Sequence, residues 1–367
     1  MIFEFACLPY SIDLLLDKCT LDHIHSPAVI SKVCAAWRNV GYATPRIWAH
    51  LTVDVNIEKH AAALGKGMQW LTDWLLRSQD VPWTIHFVFA CTKTKRARFE
   101  ERMIPALAHI LSFCYKIKSL HLTGHLPSLR PLFSLPQASF PILESLTLKV
   151  EEGDLYADIL KGYFPGSFPG SDTVQALIGA PKLQSVAITE SFTSATSLLD
   201  FFALPAEQLT SLEIADNRTQ CSRIDLVFQE FLSRCKALTK LQFNCLRVAD
   251  SFDKDKQLLF PSLTSLEIDL LCYLDCTVNN GDFFDLITTP SLDALKIWIF
   301  NIRSFTTSLR SFHTRSASAS ISPSLSSSVS MLSTLYLGIF IHAMSSPSCL
   351  HPMQVQHFNS PSSYSGE

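Results

Sequence analysis

FPSLTSLEIDL, residues 260–270, reads as leucine, two residues, leucine, one residue, isoleucine, and the phrase recurs along the chain. Upstream stand YKIKSLHLTG (115–124), FPILESLTLKV (140–150), APKLQSVAIT (180–189), AEQLTSLEIAD (206–216) and CKALTKLQFNC (235–245). Downstream stands TPSLDALKIWIF (289–300). Aligned on Leu120, Leu146, Val186, Leu212, Leu241, Leu266 and Leu295, the copies lie 26, 40, 26, 29, 25 and 29 residues apart. The one long step contains GYFPGSFPGSD, a Gly/Pro-rich loop insertion. Within each copy apolar residues alternate with others, which describes a short strand with one face turned to a core.

Between the phrases the apolar period changes from two to that of a helix. In IDLVFQEFLSRCKAL (224–238), Ile224, Val227, Phe228, Phe231 and Leu232 share a face. Residues 59–77 place Leu64, Met68, Leu71, Trp74 and Leu75 on one face, and the alternating WTIHFVFA (83–90) follows. One strand plus one helix cannot bury its apolar surface alone, so the units must stack. Leucine-rich repeats have a period of about 20–29 residues, and five of the six steps fit it. The expected fold is therefore α/β: a small helical module over residues 1–55, then an irregular leucine-rich-repeat solenoid over 56–300. Its strands would run parallel on the concave side, with helices on the convex side.

In that architecture, residues between the inward leucines face away from the core. The concave-face candidates for holding a partner are His121, Lys149, Glu213, Gln242, Asn244, Glu267, Asp269, Lys296 and Trp298. Thr123, Thr147, Ala187, Thr189 and Ala215 fill the positions between them. Trp298 is the sharpest candidate, because aromatic side chains concentrate binding energy. Packing of Trp298 beneath the C-terminal segment is the alternative. The row mixes both charge signs and selects no substrate class.

The stretch SPAVISKVCAAWRNVGYATPRIWAHLTVDV (26–55) opens on a helix-capping serine, Ser26, with Pro27 at the first helical position. Val29, Ile30, Val33, Cys34, Trp37 and Val40 then fall on one helical face, and Gly41 suits a left-handed residue just past the helix end. Thr44-Pro45 opens a second short helix carrying Ile47, Trp48 and Leu51, and TVDV (52–55) alternates like a strand.

These residues resemble the second half of the F-box-like domain of fungal repeat proteins. That pattern is valine-cysteine, two residues, tryptophan-arginine, then threonine-proline, one residue, a large apolar residue and tryptophan. Val33, Cys34, Trp37, Arg38, Thr44, Pro45, Arg46, Ile47 and Trp48 match it position by position. IFEFACLP (2–9) resembles the end of the module's first helix, and the leucine-proline-x-glutamate opening is absent ahead of it, so the module is incomplete at its N-terminus. Because WTIHFVFA follows as the family's first repeat strand does, the resemblance covers about residues 1–300. It implies a non-catalytic substrate-recognition subunit of a cullin-RING (SCF-type) ubiquitin ligase. Val33, Trp37, Arg38, Pro45, Ile47 and Trp48 would dock the Skp-type adaptor, and the repeats would bind a protein substrate. Internal core packing is the alternative role for both tryptophans. The alternative function is a protein-interaction scaffold outside the ubiquitin system, carrying a non-functional F-box remnant.

Composition narrows the classes further. With 30 basic and 33 acidic residues among 367, the chain has no general attraction for nucleic acid or anionic membrane. Eleven cysteines, an odd count without a CxxC pair, point to a reducing compartment, cytoplasmic or nuclear. No run reaches the roughly 18 apolar residues of a membrane helix, so a soluble chain is expected. No Gly-rich phosphate loop, GxSxG or HExxH is present, so neither an enzyme nor a cofactor is expected. The pairs His23–His25 and His121–His125 lack the partners of a metal site and are expected at the surface or in loops. The basic run KTKRARFEER (93–102) includes Glu100 and Glu101, as a solvated helix start does. Residues 301–367 are Ser/Pro-rich and expected to be disordered, apart from a possible degenerate repeat at MLSTLYLGIF (331–340).

Overall fold

The structure, a computed structural model, describes residues 31–56, 67–90, 96–150, 175–190, 203–216, 222–224, 226–244, 246–248, 256–270, 282–299, 305–320 and 334–339. These form a mixed α/β protein of parallel strands, consistent with a stacked repeat array. The chain divides into two compact units. The first comprises Met1–Gly153, Lys161–Gly166 and Val174–Leu183; the second comprises Asp154–Leu160, Ser167–Thr173 and Gln184–Glu367.

In the first unit, α1 (Ala35–Tyr42) and a 3-10 turn (Pro45–Trp48) lead into β1 (His50–Asn56). Then come α2 (Gly67–Arg77), β2 (Trp83–Ala90), α3 (Arg96–Leu111), β3 (Ile117–Gly124), α4 (Arg130–Phe133) and β4 (Ser145–Val150). A parallel strand must begin at the same end of the sheet as its neighbour, and the intervening helices carry the chain back there. Leu51 pairs with Ile85, Ile85 with Leu120 and Leu120 with Leu146, so one apolar residue per unit forms a continuous buried row. β1 was expected within the N-terminal module; in the structure it is the first strand of this sheet. After the 3-10 turn Gln175–Leu177, Gly179 abuts Ala138, where an added Cβ would come within 2.6 Å of backbone. Only glycine fits there without displacing the chain.

In the second unit the strands are β5 (Ser185–Glu190), β6 (Ser211–Asp216), β7 (Ser222–Ile224), β8 (Lys240–Asn244), β9 (Leu246–Val248), β10 (Leu258–Leu259), β11 (Ser265–Leu270), β12 (Ile287–Thr288), β13 (Ala294–Ile299) and β14 (Thr334–Ile339). The helices are α5 (Leu226–Arg234), α6 (Asp282–Leu286) and α7 (Phe305–Ser320). The main sheet runs β5-β6-β8-β11-β13-β14, all parallel, and Val186, Leu212, Leu241, Leu266, Leu295 and Leu335 stand opposite one another in turn. Two minor parallel pairs, β7–β9 and β10–β12, form separate two-stranded sheets.

Two features tie successive helices and strands of the second unit together. Phe228, Phe243, Phe283, Phe284 and Phe312 make an unbroken series of edge-to-face contacts, with centroids 5.4 to 5.9 Å apart. Such contacts add about 0.5–1.5 kcal/mol per pair beyond the burial itself. At the strand starts, Thr210, Thr239 and Thr264 each donate both backbone N–H and hydroxyl to the carbonyl of the preceding unit: Gln184, Thr210 and Thr239 respectively. The backbone N–H of Asp293 continues the series to Thr264.

The region after residue 300 differs in part from the sequence expectation: α7 stands where disorder was expected, whereas β14 falls within the degenerate repeat expected at 331–340. α7 docks with Phe312 buried against Phe284, and Ser316 accepts from the Thr289 N–H at 3.1 Å. β14 pairs with β13 along its full length. A docked helix needs apolar residues on one face only. Phe312, buried, and Leu309, half-buried, provide them here, and Ser316 adds a polar contact.

Candidate functional site

Two surfaces hold the residues singled out from the sequence. The first surrounds α1. The helix expected from Ser26 is interrupted: residues 31–33 are helical, Cys34 is extended at φ −159, and helix resumes at Ala35. The Cys34 sulfur caps the new start by accepting from the Trp37 N–H at 3.4 Å. Arg38 ties the two pieces by donating from Nε to the Ser31 carbonyl, 3.0 Å away. Gly41 does not end the helix in a left-handed residue; α1 runs on to Tyr42 and Ala43 caps it at φ −81. Val29 and Ile30 lie outside the described residues.

The six adaptor candidates separate into exposed and buried sets. Val33 is 60% exposed and Trp37 44%, as is Val40 beyond them. Arg38 is exposed and Pro45 is half-buried. Ile47 and Trp48 are core, packed with Trp74. The Trp48 indole is wholly buried, and its Nε1 donates to the Gly41 carbonyl at 2.8 Å. Trp74 meets it edge-on at 4.9 Å and donates from Nε1 to the Trp48 carbonyl. The Arg77 guanidinium lies over both Tyr42 and Trp48, at 4.5 and 4.8 Å. Trp48 therefore cannot touch a partner while the fold is intact. Trp37, for which core packing was the alternative, has much of its surface in solvent.

The second surface is the face of each sheet opposite the buried leucines. In the second unit Glu213, Gln242, Glu267 and Lys296 stand side by side across four strands. Lys296 pairs with Glu267 at 3.6 Å, so this row's one cation is already engaged with one of its acids. Asn244, Asp269 and Trp298 align as a second row by register, and their side chains lie outside the described residues. Ala215, expected on this face, is 5% exposed.

In the first unit, Lys149 is exposed and His121 is half-buried. His121 stacks on His86 of the next strand, with centroids 4.0 Å apart and rings 7° from parallel. Burial, joined by repulsion from His121 and His50, lowers His86 to about 4. Burial also lowers His121 and His50, and the Nδ1 of His50 is buried without a hydrogen-bond partner. His86 and His50 were missed in the sequence, although outward alternation in WTIHFVFA places His86 on the same face as His121. His125 was expected at the surface or in a loop; it lies in the connection just after β3, and is buried there at 8% exposure.

Among the described residues no group of three or more His, Cys, Asp or Glu side chains could hold a metal ion. Burial raises the Cys114 thiol, and burial with nearby Glu207 raises Cys235 to about 12, so neither is a ready thiolate. No helix among them is long and apolar enough to cross a membrane.

Compared with known proteins, the chain matches no protein-family model and no curated protein.

Proposed function

We propose that the protein is a non-catalytic substrate-recognition subunit of a cullin-RING ubiquitin ligase. An F-box-like module would dock the Skp-type adaptor, and a leucine-rich-repeat array would hold a protein substrate on its open sheet face. The observation that carries this reading is the solvent exposure of Val33, Trp37 and Val40, three large apolar residues within the stretch that resembles the module. Covering them with a partner helix would gain roughly 25 cal/mol per Å2 of apolar surface, and an aromatic anchor commonly dominates such contacts.

Co-purification with a Skp-type adaptor tests the reading. The intact chain is expected to retain the adaptor, and Trp37→Ala to weaken the association at least tenfold while its circular dichroism stays unchanged. An intact, folded chain that does not retain the adaptor ends the ligase reading and leaves the interaction scaffold in its place. Trp48→Ala does not serve this test, because its loss would act through the fold.

A further inference from the structure

Parallel imidazoles at 4.0 Å are compatible only with rings that are not both charged, since two like charges at that distance in a partly buried place repel strongly. Three strands in succession contribute a histidine to one face: His86 on β2 stands directly opposite His121 on β3, and His50 on β1 stands two residues along, opposite Thr84. Among the described residues, the charged ones sharing that face are Lys149 on β4 and, by register position alone, Asp54 on β1. Lys118, at the start of β3, is held by Glu144 at 3.2 Å.

We propose that the stacked His86–His121 pair, with His50 on the same face, is an acid-sensitive fastening of the first unit's sheet, closed while the rings are neutral and driven apart when they take up protons. Protonation of either stacked ring leaves a buried charge beside a ring that must stay neutral, and protonation of both splits the stack. The β1–β2–β3 end of the sheet, with the Trp48 core joined to β1, is where the loosening would be felt.

The lowered values agree in sign. An unfolded chain's histidine takes up a proton near 6.5, whereas His86 in the fold does so only near 4. The unfolded state thus binds more protons between those values. Stability is complete above about pH 6.5 and falls as pH drops toward about 4.

The test uses the full chain, with histidine ring NMR titration and thermal unfolding between pH 7.5 and 4.5. His86 is expected to titrate well below an ordinary histidine, and the melting temperature to fall by about 5 °C or more across the range. His86→Phe, which keeps a flat ring and removes the proton site, is expected to shrink that fall by half or more. His313→Gln, on the exposed side of α7, is expected to leave it unchanged. Titration of His86 near 6.5 in the folded chain, or an undiminished fall in His86→Phe, overturns the proposal. If His86→Phe does not fold, the wild-type titration decides alone.

Discussion

Trp37 and Trp48 lie within one short stretch and have opposite surroundings. Trp48 is enclosed by Tyr42, Trp74 and Arg77 and spends its indole donor on the Gly41 carbonyl. Truncating a fully buried tryptophan removes its packing and leaves a cavity, so Trp48→Ala should cost about 3–5 kcal/mol. Trp37→Ala removes a half-exposed ring from a helix surface and should cost under about 1 kcal/mol. Urea unfolding followed by far-UV circular dichroism separates them; equal losses would mean that Trp37 is also core. The helical pattern around Cys34 put Val33, Trp37 and Val40 on one face. Which side of that stretch meets the protein was not legible, because the periodicity of a single helix is silent about its neighbours.

At the scale of the element, the threonine series at the strand starts is the most regular device in the second unit. Each hydroxyl adds a third bond to a carbonyl that already accepts the backbone N–H of the threonine and of the residue after it, so register is held by backbone and side chain together. Thr239→Val keeps the shape and the N–H and loses the hydroxyl donor. It should lower stability by about 0.5–1.5 kcal/mol, and Thr239→Ser should recover most of that loss. The urea midpoints of the three proteins check this, and a Thr239→Val midpoint equal to wild type would assign the ladder to the backbone alone. The series was visible in the repeated LTSL and LTKL phrases, but a threonine before a strand has no distinct meaning until the preceding unit's carbonyl stands beside it.

For the molecule as a whole, the C-terminal segment changes from appendage to structural part. α7 covers Phe284 through Phe312, Arg315 donates to the Phe284 carbonyl, and β14 pairs with β13. Stacked-repeat domains need a terminal unit to cover the last exposed face, and an uncovered strand edge recruits other chains. A protein ending at residue 303 should therefore melt lower and aggregate at concentrations where the full chain remains dispersed. Phe312→Ala, which opens the same core without removing the strand, should cost about 3–5 kcal/mol. Calorimetry with light scattering tests both, and a truncated chain that melts like the full one would show that α7 and β14 add nothing.

Sequence alone determined the repeating strand, its parallel neighbours and its register. The aligned leucines face one another within each unit because a period of two along the strand and a near-constant spacing between copies leave little freedom in which residue enters the core. It also carried the inward or outward sense of most strand positions, Ala215 included: by register it stands opposite Asn244 on the outward side, although it is buried there. Tertiary structure decided what local pattern cannot encode. Trp48 is sealed because Trp74, from a helix on the far side of a strand, closes over it. His86 and His121 stack because parallel pairing brings together residues far apart in the chain. α7 docks because Phe284 offers Phe312 a place. In each case the partner comes from a different helix or strand of the same unit, and the free energy of burial is defined only once both surfaces are present.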